Sequence, residues 1–284
     1  MNVIPIQASC GADIIGFDFE HLYPDQVDAV RAAWRDYGVL RFRGYDITTQ
    51  QHAKFSNLFG HYVPVKGTSI AHHDQKEITV ISNAKVDGKP VGTLGNVDLE
   101  WHTDSWYFDK PPCGQILRAL ELPRTGGDTY WVNMYAVYDA LPEFTRKIIE
   151  GRLIQFNIVY DAVGRVRPGQ EKPETDDFRL WKHVRHPIVR TNPESGRKAV
   201  YIGYFDSTKN WIVGLPLEQS KAILEEIYSL IDSGKFVFQQ KWQPNDIIMW
   251  DNRCTMHRRD GWNETDMRIM HRTGTGTETP IYVY

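Results

Sequence analysis

The sequence predicts a mainly β protein with flanking helices, built as a jelly roll or barrel. Three observations lead there. Short runs rich in Val, Ile, Tyr, Phe and Trp, bounded by Gly, Pro, Asn and Asp, recur along most of the chain. Only three helical stretches are clear, and they do not alternate with the strands as a doubly wound parallel sheet would require. The chain has 284 residues with 12% aromatic content and nine Trp, enough to fill one sizeable core.

The elements follow in chain order. Val27, Val30, Trp34 and Tyr37 lie on one helical face, so a helix is expected over Asp25–Tyr37, with Gly38 as its stop. Val39 to Arg43 then alternates like a strand. Thr48 with Gln51 three residues later is a capping-box signature for a second helix that ends near Gly60. Strands are expected at Ile78–Ser82, Gly114–Glu121, Thr129–Asn133, Pro187–Arg190 and Lys198–Tyr204. A third helix is bounded by Pro216 and Gly234, with Ala222, Ile223, Ile227, Leu230 and Ile231 on its apolar side. Three more strands are expected at Lys235–Lys241, Asp246–Trp250 and Met267–Thr273. Residues 163–177, rich in Gly, Arg, Pro, Glu and Asp, read as a lid-like surface loop on an otherwise single domain.

Composition excludes several classes of function. Lys and Arg total 33 against 36 Asp and Glu, a net charge of −3, which offers no electrostatic reason to bind nucleic acid or an anionic membrane. Mean hydropathy is −0.46 and no apolar run is long enough to span a bilayer. The first residues lack the basic and apolar regions of a secretory signal, and the three cysteines, Cys10, Cys113 and Cys254, are widely spaced. A cytoplasmic enzyme is the expectation.

The chemistry begins with Trp101-His102-Thr103-Asp104. On a strand, His102 and Asp104 leave the same face. His257, beyond Met249–Met256, supplies a third ligand at a strand end. Two His and one carboxylate form the facial triad of non-haem Fe(II) sites, with positions left open. The tripeptide alone fits equally a hydrogen-bonded strand His beside a surface Asp. Further on, Arg268, Met270 and Arg272 share one strand face. A buried Arg requires an anion, either an internal acid or a bound carboxylate gripped in two-pronged fashion.

With these motifs in place, the chain from about Gly38 to Arg272 resembles the Fe(II)/2-oxoglutarate-dependent dioxygenases of the taurine and 2,4-dichlorophenoxyacetate (TauD/TfdA) type. The resemblance rests on three segments. The first is Trp101-His102-Thr103-Asp104-Ser105 with Pro111-Pro112. The second is Gly126-Gly127-Asp128-Thr129 with the run Asn133–Pro142. The third is Trp250-Asp251-Asn252-Arg253 through His257, Arg268 and Arg272. It implies a double-stranded β-helix of the cupin-like kind, with Fe(II), 2-oxoglutarate and O₂. His102, Asp104 and His257 would be the iron ligands. Arg268 and Thr129 would hold the distal carboxylate of 2-oxoglutarate. Trp250 fits both a packed indole and an aromatic wall near the iron.

On the substrate side the resemblance implies that Arg272 faces an anion, with an internal salt bridge to an acid such as Asp98 as the alternative. Lys66 is a second candidate cation, Asp98 stands where the taurine type carries an amide, and Phe205 is a candidate pocket aromatic. The implied partner is a small anionic molecule (a carboxylate, aryloxyalkanoate or sulfonate) hydroxylated at a C–H bond with succinate and CO₂ as coproducts. Desaturation, epoxidation or another tailoring oxidation is the alternative at the same site. A homo-oligomer, dimer or tetramer, is also implied. Outside the resemblance, Gly126-Gly127 reads as a turn, His186 as a turn histidine, and His72-His73 as a solvated loop, since adjacent residues on a strand would point to opposite faces.

Overall fold

The computed structural model describes residues 1–62, 64, 70–160, 166, 167, 169–204 and 210–283. Lys66 and Phe205 lie outside them, as does part of the expected lid.

The strands are β1 (Asn2–Pro5), β2 (Ala12–Ile15), β3 (Val39–Phe42), β4 (Thr79–Ser82), β5 (Lys85–Val86), β6 (Lys89–Pro90), β7 (Thr93–Leu94), β8 (Leu99–His102), β9 (Pro112–Glu121) and β10 (Thr129–Asn133). They continue with β11 (Leu153–Asn157), β12 (His183–Pro187), β13 (Val189–Thr191), β14 (Lys198–Val200), β15 (Asn210–Ile212), β16 (Val237–Gln240), β17 (Ile247–Asp251), β18 (Thr255–Arg259) and β19 (Ile269–Thr277). The major sheet runs β1-β2-β3-β17-β9-β19-β4-β7, and the minor sheet β16-β10-β18-β8. The inner side chains of these two sheets make the jelly roll. Strands β12-β11-β15, β13-β14 and β5-β6 form three smaller sheets.

The helices obey the local chemistry that announces them. Helix α1 (Pro24–Tyr37) opens with Pro in its first turn and stops at Gly38, whose φ of 72° lets its N–H reach the Trp34 carbonyl. It buries Val27, Val30, Ala33 and Trp34 against the major sheet. Burying one such side chain contributes roughly 1.5–3 kcal/mol. Helix α2 (Thr49–Asn57) carries the full capping box between Thr48 and Gln51. Helices α3 (Met134–Ala140) and α4 (Glu143–Ile149) are absent from the sequence reading, although Asn133 caps α3 by accepting from the N–H groups of Tyr135 and Ala136. Helix α5 (Leu217–Asp232) packs Ile223, Leu224, Ile227 and Ile231 inward. No described helix is long and apolar enough to cross a membrane.

Three local expectations are corrected. The run expected as one strand over 187–190 is split between β12 and β13, which lie in different sheets. The strand expected over 198–204 ends at Val200; Gly203 turns the chain with φ of 65°, and its carbonyl accepts the Thr103 N–H at 2.6 Å. His186 is a buried residue of β12 rather than a turn histidine, with Nε2 3.0 and 3.1 Å from the carbonyls of Trp106 and Phe108. It braces the segment that follows Asp104.

Candidate active site

The minor sheet brings the two candidate histidines together by register. His257 on β18 pairs directly with His102 on β8 and, on its other side, with Trp131 on β10. Opposed side chains of neighbouring strands leave the same face, and the two imidazole centroids are 4.2 Å apart. Asp104 lies two residues past the end of β8. Ser105 takes a left-handed conformation with φ of 59°, which turns the chain away just beyond the carboxylate. One ligand atom from each of His102, Asp104 and His257 lies within 4.8 Å of the others. The Nε2 atoms of His102 and His257 are 3.9 and 3.8 Å from the Asp104 oxygens, too far for hydrogen bonds.

This donor set fits a divalent cation. The Nδ1–H of His102 donates to the Glu100 carbonyl at 2.7 Å, which leaves the Nε2 lone pair facing the cluster. Burial pushes the His257 imidazole down to about 3, with the neighbouring His102 adding to the effect. Burial likewise lowers His102, against the opposing pull of Asp104. Both rings are therefore held neutral, the form that ligates. Burial alone would raise the Asp104 carboxyl, but the Arg272 guanidinium, by its charge and its hydrogen bonds, outweighs it and holds it below the ordinary carboxylate range. Two imidazoles and a carboxylate suit Fe(II), whereas a closed thiolate set would suit structural zinc. Trp250, 1% exposed, is both a packed core indole and a neighbour of the site, 5.0 Å from the His257 ring.

The two arginines from the end of the chain reach the interior at different depths. Arg268 sits immediately before β19 and is 1% exposed. Among the described residues its Nη2 makes one long contact, 3.4 Å, with the Gly127 carbonyl. Gly127 has φ of 71°, and a Cβ there would come within 3.3 Å of Arg268 Nε, so the Gly-Gly turn also gives the guanidinium room. Thr129 Oγ1 accepts from Trp242 Nε1 at 3.0 Å, which leaves the hydroxyl proton to donate. Arg272, on β19, pairs with both oxygens of Asp104 at 3.0 and 3.1 Å. Its acid partner is thus Asp104. Asp98 is engaged elsewhere, accepting the Gly261 N–H at 2.8 Å.

Some nearby features were not read from the sequence. Tyr62 lies against Gly274, where a Cβ would strike its ring, and bonds to Ser105. Arg259, Trp242 and Trp262 surround Arg268. The signal for Arg259 was present, since it stands two residues after His257 on one strand. His72 and His73 lie in a loop that follows the isolated bridge of Ala71, with His72 half-buried and His73 exposed. Their rings stack 4.3 Å apart. With Asp74 they form a second cluster of possible ligands, but His73 and Asp74 are 80% and 72% exposed and already paired at 2.8 Å.

Comparison with known proteins decides the family. Residues 2–273 match the family described as "Taurine catabolism dioxygenase TauD, TfdA family". The chain belongs to the TauD/TfdA family. This family member is 31% identical over 264 residues to the alpha-ketoglutarate-dependent 2,4-dichlorophenoxyacetate dioxygenase of Burkholderia sp. (strain RASC), covering 89% of this chain and 86% of that one. It is 28% identical over 284 residues to the (S)-phenoxypropionate/alpha-ketoglutarate-dioxygenase of Delftia acidovorans, covering 95% and 93%. Among solved structures, that of AAD-2 in complex with Mn(II) and N-oxalylglycine matches with a TM-score of 0.78 and 27% identity over 99% of both chains. The fold is therefore the jelly roll of these dioxygenases. The protein is an oxidoreductase, a 2-oxoglutarate-dependent dioxygenase that uses Fe(II), 2-oxoglutarate and O₂.

Proposed function

We propose that this dioxygenase hydroxylates a C–H bond of a small anionic substrate, with an aryloxyalkanoate or other carboxylate favoured over a sulfonate. The observation that carries the reading is the convergence of His102, Asp104 and His257 beside the Arg272 guanidinium. His102, Asp104 and His257 would hold Fe(II). Arg268 and Thr129 would take the distal carboxylate of 2-oxoglutarate. Bound together, Fe(II), 2-oxoglutarate and O₂ supply the oxidising power, with succinate and CO₂ as coproducts. The chain's own residues bind, orient and exclude water. His102 is oriented by its bond to Glu100, and Arg272 holds the Asp104 carboxylate in place.

Arg272 is the cation proposed to read the substrate. It is partly buried and carries donors beyond the Nη1 that meets Asp104. Tyr62 supplies an aromatic wall on the same side, since it packs over Gly274, two residues beyond Arg272. A planar anion beside a guanidinium and a phenol ring is the chemistry of an aryl carboxylate. The two relatives named for phenoxypropionate and 2,4-dichlorophenoxyacetate support this choice. The test is a screen that reads succinate formation with Fe(II) and O₂ across aryloxyalkanoates, small sulfonates and amino acids. Turnover is expected with carboxylates and not with their neutral esters. Equal turnover of the esters would remove Arg272 from substrate recognition.

A further inference from the structure

Two buried guanidiniums lie over one indole. Arg259 closes β18 and is 4% exposed, and Arg268 precedes β19 and is 1% exposed. Their Cζ atoms are 4.6 and 5.2 Å from the centre of the Trp262 ring. Nε and Nη1 of Arg259 and Nε of Arg268 are buried without a hydrogen-bond partner among the described residues. The acids whose charge each feels are engaged elsewhere: Asp98 with the Gly261 N–H, and Asp128 with Gln239 Nε2. Two like charges inside a protein, with donors left open, are stable only beside an anion.

The strand geometry says where that anion sits. Arg259 is two residues beyond His257, so its side chain leaves β18 on the same, inward face. In the sheet register it stands directly opposite Thr129 of β10. Opposed pairs keep their Cβ atoms about 4.5–5.5 Å apart. Arg259 therefore flanks the hydroxyl assigned above to the cosubstrate. Its remaining nitrogen, Nη2, faces the other way and donates to the carbonyls of Leu94, Gly95 and Val97 at 3.1, 3.3 and 2.5 Å. That turn holds Leu94 and Gly95 at φ of 70° and 45°, and leads through Asp98 into β8 and His102.

We propose that Arg259 is a second guanidinium for the distal carboxylate of 2-oxoglutarate, shared with Arg268, and that its Nη2 straps the 94–97 turn to the bound cosubstrate. The inference rests on the placement of that carboxylate at Arg268 and Thr129. In this arrangement cosubstrate binding places one negative charge between the two guanidiniums, offsetting part of their repulsion, and fastens the approach to the metal ligands in one step.

The experiment compares the wild type with Arg259→Gln, Arg259→Lys and Arg268→Gln, as Mn(II)-loaded proteins without O₂. Calorimetry measures binding of 2-oxoglutarate and of 2-oxobutyrate, which keeps the chelating end but lacks the distal carboxylate. Hydrogen exchange follows the amides of residues 94–98. Arg259→Gln is expected to weaken 2-oxoglutarate by about tenfold or more while leaving 2-oxobutyrate unchanged. It should also abolish the protection that 2-oxoglutarate confers on the turn. Arg259→Lys, which keeps the charge but cannot span anion and turn together, should retain more affinity than Arg259→Gln without that protection. If Arg259→Gln binds 2-oxoglutarate like the wild type while Arg268→Gln does not, Arg259 only braces the turn and the proposal fails. Equal weakening of both ligands by Arg259→Gln, or wild-type protection in Arg259→Lys, overturns it as well. If Arg268→Gln also binds normally, the carboxylate site itself is misplaced, which is a separate failure. Should Arg259→Gln not fold, a Lys variant with wild-type affinity and wild-type protection decides against the proposal by itself.

Discussion

Two buried clusters of arginine make an instructive contrast. In the turn after β17, Arg253 is 2% exposed and is enclosed by acids, with Asp251 at 2.8 Å and Glu194 at 2.8 Å. Burial works against its charge, but Asp251 and Glu194 overcome that and hold the guanidinium above its ordinary range. Near Trp262, Arg268 and Arg259 are buried as deeply, yet burial pushes both below the ordinary range, and for Arg268 the nearby Arg259 adds to the effect. The first cluster is complete within the chain and serves stability. Among the described residues no acid bonds to either guanidinium of the second, and the proposal above places a bound carboxylate there. Burial alone therefore does not distinguish a structural arginine from a binding one; the distinction is whether the chain supplies the counter-charge.

The largest effect expected is at the ligands. His102→Ala, Asp104→Ala and His257→Ala should each abolish Fe(II)-dependent succinate formation while circular dichroism shows a folded protein. Near-wild-type turnover by any of them would remove that residue from the site. Next is the complete cluster. Arg253→Met leaves Asp251 buried without its partner and should cost about 3–5 kcal/mol in denaturant unfolding. Cosubstrate affinity should be unchanged in the variant protein that remains folded.

The incomplete cluster should respond in the opposite sense. Arg268→Gln should cost little stability, because no internal ion pair is broken, but should weaken 2-oxoglutarate by about ten- to a hundredfold. A large loss of stability with unchanged affinity would erase the contrast between the two clusters. A further expectation concerns the wild type alone. A saturating dicarboxylate should raise its melting temperature, by about 2.7 kcal/mol of stabilisation at a hundred times Kd, and Arg268→Gln should lose that shift. The smallest effect lies far from both clusters. Thr48→Ala removes the α2 cap and should cost about 1 kcal/mol in stability with no change in cosubstrate affinity.

Legibility from sequence varied with the range of the interactions. Capping at Thr48 and Gln51, the Gly38 stop and the alternation of β3 depend on neighbours within a few residues, and the sequence reading places α1, α2 and α5 to within a few residues. Helices α3 and α4 escaped because they are only seven residues long, too short for a periodic face to stand out. The split between β12 and β13 escaped because both flank Ile188 in one apolar run, and only sheet pairing separates them.

By itself the sequence determined the family, the mainly β class and the identity of the candidate ligands, because these follow from residue types at set spacings. Only the tertiary structure decided which charges meet. Arg272 and Asp104 are 168 residues apart and pair because β19 of the major sheet delivers one to the other. Arg259 became a candidate for the cosubstrate only when the register set it opposite Thr129. A charge's role depends on the sign and distance of its neighbours through a low-dielectric interior. Those neighbours come from strands far apart in the chain, so the pairing exists only once the sheets have closed.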